Sequence, residues 1–134
     1  MGGGREPSEA PVLPEAAPIE RAMLNTMVEG LDPESADEMV RELVELYLAD
    51  APGQLESVRA AIGAANPGRL RESAHGLKGA SANLGAKPLA AACLELEKLG
   101  HSGSVEGAAE LLAKLEREFE RARAALNVVM QQGI

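Results

Sequence analysis

AAELLAKLEREFERARAALNVV, residues 108–129, carries one continuous seam of apolar side chains. Ala108, Leu112, Leu115, Phe119, Ala122, Leu126 and Val129 follow one another at steps of 4, 3, 4, 3, 4 and 3. That alternation is the a/d seam of an amphipathic helix, held over three heptads. Charged residues lie elsewhere on the helix, including Glu110 and Lys114, spaced for an i,i+4 ion pair. A helix with one greasy stripe must bury it, so the rest of the chain has to supply partners.

Working back from that helix, the same period recurs. Lys87 to Leu99 places Leu89, Cys93 and Leu96 on one face, with Gly100 after it and a Ser102-Gly103-Ser104 turn beyond. Asn66-Pro67 is a cap followed by an N1 proline, and predicts a helix running to Leu84 with Gly85 as the C′ residue. Asp32-Pro33-Glu34 repeats that start signal. Val40, Leu43, Tyr47, Ala51, Leu55, Val58 and Ile62 keep one phase across Pro52, which predicts one helix kinked near Pro52 or two nearly collinear ones. A short helix is expected over Ile19 to Val28, ended by Gly30. Short loops between long amphipathic helices make antiparallel neighbours. The expectation is an all-α, up-down four-helix bundle with a short extra N-terminal helix, in one domain from residue 19 to 134. Residues 1–18 hold four of the eight prolines and a Gly2-Gly3-Gly4 run, and read as a disordered tail or linker. No internal repeat is visible.

Composition agrees. Strands favour β-branched and aromatic residues, and this chain has one Phe, one Tyr and no Trp. It carries 13 Lys and Arg against 21 Asp and Glu, a formal charge of −8. That is the wrong sign for wrapping nucleic acid or resting on an anionic membrane. One cysteine permits no internal disulfide, and one Cys with two His makes no structural zinc site. No 18-residue apolar run and no hydrophobic leader are present, so a cytoplasmic location is expected.

The helix from Pro67 is chemically unusual. On a wheel of about 100° per residue, Leu70, Leu77, Ala80 and Leu84 cluster about the pole opposite His75. His75 therefore points away from the core. Gly68, Gly79 and Ala82 lie within about 40° of it, and Arg71 and Lys78 within about 60°. Glycine in a helix interior costs about 1 kcal/mol relative to alanine, yet Gly76 and Gly79 both sit here. Bare backbone around an exposed imidazole clears space for another molecule. Between Pro67 and Pro88 stand Arg69, Arg71, Lys78 and Lys87 against Glu72 alone, a local +3 that leaves −11 for the rest. A cationic island centred on an imidazole suits a phosphoryl group on that imidazole. The bland alternative is an ordinary surface histidine with a lysine nearby. His101 is expected in a solvated loop. Cys93, Met23, Met27 and Met39 are expected to pack, and Ser73 and Ser81 to bond backbone carbonyls.

The string Ala74-His75-Gly76-Leu77-Lys78-Gly79-Ala80-Ser81-Ala82-Asn83-Leu84-Gly85 resembles the signature of histidine-containing phosphotransfer (HPt) domains, A-H-x-L-K-G-[SA]-[SA]-x-x-[LIF]-G, at every fixed position. Leu89, Cys93, Leu96 and Glu97 resemble the family's L-x-x-x-C-x-x-L-E on the next helix, and Glu42-Leu43 to Tyr47-Leu48 its E-L-x-x-x-[FY]-L. The resemblance extends from about Ile19 to Met130; the scarcity of aromatics is its main departure. It implies a phosphorelay carrier, not an ATP-using enzyme. His75 would be the phosphoacceptor, Lys78 and Arg71 would act on the phosphoryl oxygens, and Gly79, Ala82, Gly68 and Glu72 would meet the partner. Partners would be receiver domains of response regulators and a hybrid or sensor histidine kinase. No cofactor is implied beyond Mg²⁺ on the receiver, and a monomer is expected. Two other readings fit the same string: the phosphoacceptor domain of a larger, chemotaxis-like kinase, and a helical module that docks receivers without transferring phosphate. The dimerisation helix of sensor kinases, where an acidic residue follows the His and a proline comes several residues on, is a poor fit, because Gly76 follows His75 and no proline lies between His75 and Pro88. No glycine-rich ATP-binding motif is present.

Overall fold

The computed structural model describes residues 17–133, so all but the last two residues of the expected N-terminal tail lie outside the described residues. Five helices follow one another, with no strand among the described residues: α1 (Arg21–Met27), α2 (Pro33–Gly63), α3 (Pro67–Asn83), α4 (Lys87–His101) and α5 (Ala108–Gln132). The start signals work as the capping chemistry requires. Asp32 accepts from the Ser35 amide at 2.8 Å, and Asn66 accepts from the Arg69 amide at 3.1 Å. Gly85 ends α3 in the left-handed region at φ +76, where the Ala86 amide reaches back to Ser81 O. The Glu20 amide donates to Gly85 O at 2.8 Å, which ties the chain before α1 to the end of α3.

The long helices close on one another in a ring: α2 packs with α3, α3 with α4, α4 with α5, and α5 with α2. The core between them is built from Val44, Val58, Leu70, Leu77, Leu89, Leu96, Leu115 and Leu126, all at or near zero exposure. Tyr47 and Ser81 share a hydrogen bond of 2.8 Å inside this core. Ser81 therefore finds a hydroxyl rather than the backbone carbonyl expected of it, and burial pushes the Tyr47 phenol up to about 12.

Several expectations shift when helices meet. α2 is a single helix through Pro52; the proline is exposed, so water can serve the carbonyl its missing amide leaves free. Its buried stripe takes Val44 and Ala61, while Leu43 and Ile62 are only half-buried. On α5, Leu112 is half-buried and Glu118 is buried against Arg121. Lys114 does not pair with Glu110 but reaches across to Glu95 of α4 at 2.9 Å. Met23 and Met39 are exposed rather than core filler, because Leu24 and Val28 take the inward positions of α1 and its end and Val40 takes the inward position beside Met39 on α2.

The largest correction is at Gly100. The sequence reading places it just beyond a helix; it is instead a buried residue inside α4. A Cβ there would stand 2.6 Å from Pro67 O and 2.7 Å from the Arg71 amide nitrogen. The glycine lets α4 touch the backbone of α3. Gly100→Ala is therefore expected to destabilise the fold by about 1–3 kcal/mol, the range for overpacking a rigid contact. Urea unfolding measures it; unchanged stability would mean that the two helices do not approach this closely.

Candidate functional site

His75 lies midway along α3, and its side chain is 68% exposed. The buried arc of α3 holds Leu70, Ala74, Leu77 and Ser81, with Leu84 at its end, so the opposite side is left to solvent. Two helices flank that exposed ridge. On one side Gln54 of α2 stands 3.8 Å from where a Cβ on Gly76 would be. On the other, α4 presents Glu97.

Glu97 organises the site. Its Oε2 is 2.9 Å from His75 Nδ1, and its Oε1 is 2.6 Å from Lys78 Nζ. One half-buried carboxylate thus joins the imidazole to the ammonium one turn further along α3. Lys78 holds the Glu97 carboxyl below the usual carboxylate range, with His75 adding to the effect and burial opposing it. An ionised carboxylate facing Nδ1 favours the proton on that nitrogen, which leaves the lone pair on the exposed Nε2. Beneath the network, Cys93 is buried and its thiol is pushed up to about 12, chiefly by burial, so it is an inert packing group.

The other anticipated residues fall on the same face. Gly79 is exposed, and a Cβ on it would meet nothing within 4 Å. Ala82 and Gly68 are exposed further along and at the start of α3. Arg71 and Glu72 line, with His75 and Glu97, a depression of about 180 Å³. Lys78 is brought to His75 only through Glu97 in this resting arrangement. His101 is not in a loop but ends α4, and it shares a second depression with Arg71, Leu94, Glu97 and Lys98. On the α2 side, Met23, Met27, Leu46 and Ala80 help line an apolar groove of about 410 Å³. Glu97 was legible only as part of a matching string, with no role attached; its place twelve residues past Gly85, on the α4 face turned to α3, was the available signal. Among the described residues, no group of three His, Cys, Asp or Glu side chains is placed to hold a metal ion.

The family model described as the Hpt domain matches residues 42–125. A solved structure, histidine-containing phosphotransfer protein B from Pseudomonas aeruginosa PAO1, superposes with a TM-score of 0.77 at 30% sequence identity, covering 88% of this chain and 98% of that one. No curated protein matches the chain.

Two outcomes follow from the site as built. Because its acidity is raised by Lys78 and His75, Glu97 should titrate with a midpoint below 4.5 when its carboxyl carbon is followed by NMR. A group with a depressed folded pKa stabilises above its unfolded pKa and loses that contribution as pH falls through the folded one. The stability gap between wild type and Glu97→Gln should accordingly narrow below pH 4.5; a gap constant with pH would contradict the ion pair. Gly79→Leu should raise helix stability by somewhat under 1 kcal/mol, since the position is open and leucine is the better helix former.

Proposed function

The chain belongs to the Hpt domain family and is a phosphotransfer carrier of two-component signalling; from that premise we propose that His75 accepts a phosphoryl group from the aspartyl phosphate of one receiver domain and yields it to the aspartate of another. The observation that carries this reading is the exposed imidazole whose inner nitrogen is held by Glu97. The packing of α2 to α5 in a closed ring fits the up-down four-helix arrangement, with His75 on its outer surface.

In this mechanism a receiver seats on the face around Gly79 and Ala82, flanked by Gly68 and Glu72. The Nε2 lone pair attacks phosphorus in line, the P–O bond to aspartate breaks, and its electron pair leaves with the aspartate carboxylate. No proton has to leave the ring. The imidazole gains positive charge as the N–P bond forms, and the Glu97 carboxylate opposite Nδ1–H stabilises that charge. Phosphoryl transfer relies on positioning and charge stabilisation more than on covalent help. Lys78 can pivot its ammonium from Glu97 toward the incoming oxygens, and Arg71 adds positive potential from one turn back. The Mg²⁺ used in the transfer is assigned to the receiver, because Glu97 is already engaged by His75 and Lys78. The relay reading implies a cytoplasmic monomer that meets its partners, a hybrid or sensor kinase among them, through receiver domains.

The test is incubation with receiver domains phosphorylated by acetyl phosphate, following acid-labile, alkali-stable label on this chain. His75→Gln should take no label while changing stability by at most a few tenths of a kcal/mol, as at other surface sites. Label on that variant would place the acceptor elsewhere. Lys78→Ala should slow single-turnover transfer at saturating receiver by roughly tenfold, the lower end for a charge-assisted contact. Gly79→Leu should block transfer without loss of fold. A receiver that binds tightly yet never labels the wild-type chain would favour the docking-only module.

A further inference from the structure

Beyond His75 and its network, the outer surface where α4 ends beside the start of α3 is built as a recognition patch. Leu94, Lys98 and His101 form one exposed stripe of α4 at i, i+4 and i+7. With Arg71 of α3 and Glu97 they line a depression of about 370 Å³. The smaller depression that contains His75 shares Arg71 and Glu97 with it, so the two form one continuous surface.

Its charge is unspent. Lys78, Lys87 and Lys114 all have carboxylate partners, and so does Arg59. Arg71, Lys98 and His101 form no ion pair among the described residues, although the chain carries eight more negative than positive charges. Glu97, the acid on this floor, is already engaged by Lys78 and His75. Leu94 adds an apolar centre, 36% exposed, with Arg71, Lys98 and His101 around it. A close approach of α3 and α4 at Gly100 fixes the spacing between Arg71 and the last turn of α4.

We propose that Arg71, Leu94, Lys98 and His101 form a docking surface for an acidic patch on the protein that exchanges phosphate with His75, setting which partner is accepted. This rests on the phosphotransfer reading for the partner's identity. The chain's overall negative charge disfavours extended polyanions such as nucleic acid, while a small cationic rim about one leucine fits a protein surface that pairs carboxylates with an apolar contact. Paired charges at such a rim act on encounter and selection more than on the chemical step.

Two measurements test it. In the first, hexaglutamate peptide is titrated into the isotope-labelled chain and amide shifts are followed. Shifts should concentrate at Arg71, Leu94, Lys98 and His101 at low salt, fade as NaCl rises to about 300 mM, and be lost in Lys98→Glu. Shifts spread evenly over other exposed cations such as Arg41 and Arg117, or retained in Lys98→Glu, would overturn the proposal. In the second, the receiver that labels the wild-type chain fastest is used. Lys98→Glu should raise the receiver concentration for half-maximal transfer roughly tenfold and leave the saturated single-turnover rate unchanged, with Lys98→Gln intermediate and Lys98→Arg near wild type. Unchanged half-saturation in Lys98→Glu would overturn it. If no receiver labels the wild-type chain, the phosphotransfer reading fails, and the peptide titration still decides whether the patch selects acidic surfaces.

Discussion

The backbone contact between α3 and α4 at Gly100 is the constraint on which the site depends. A hydrogen in place of a side chain lets α4 lie against Pro67 O and the Arg71 amide. That proximity carries Glu97, less than one turn earlier on α4, to His75 and Lys78. A helix spaced by ordinary side chains would stand 8–10 Å away axis to axis, and a glutamate reaches only so far across such a gap. The packing thus does chemical work: it places a carboxylate behind an imidazole that the rest of α3 keeps in water.

The two faces of α3 make opposite demands, and both are met. Leu70, Leu77 and Leu84 are driven inward by burial, at roughly 1.5–3 kcal/mol for each fully buried side chain. The exposed face carries Gly76 and Gly79, which cost helix stability and gain no packing. Under the proposed function, a stability loss of this kind at an exposed, open position leaves the surface clear for the receiver. The flanks differ in character, with an apolar groove toward α2 and unpaired cations toward α4. On the proposed reading, a receiver centred on His75 would meet both.

Much of this was legible in the sequence because helical periodicity reports burial directly. The α5 seam, apart from the half-buried Leu112, and the Asp32 and Asn66 caps read correctly, as did Gly85 in its left-handed turn and His75 on the outer face. What the sequence did not disclose depends on neighbours in space. Gly100 looks like a helix stop until the first turn of α3 is known to occupy its missing side chain's volume. His101 moves from loop to helix for the same reason. Lys114 has an apparent partner in its own helix and a real one on α4. Met23 is apolar at helical spacing yet exposed, because Leu24 takes the inward position of α1 and leaves Met23 lining the apolar groove. Glu97 could be seen as a matching letter, but its bond to His75 is a contact across 22 residues that no local period encodes.

The central claim is that Glu97 holds the inner nitrogen of an exposed imidazole and thereby offers the outer one to phosphorus. Long-range proton–nitrogen correlation of ring-labelled His75, recorded before and after phosphorylation, tests it most directly. The account predicts a proton on Nδ1 in the resting chain and phosphorus on Nε2 in the labelled one, with the resting Nδ1 signal altered in Glu97→Gln. Phosphorus bonded to Nδ1, or a resting tautomer with its proton on Nε2, would contradict it.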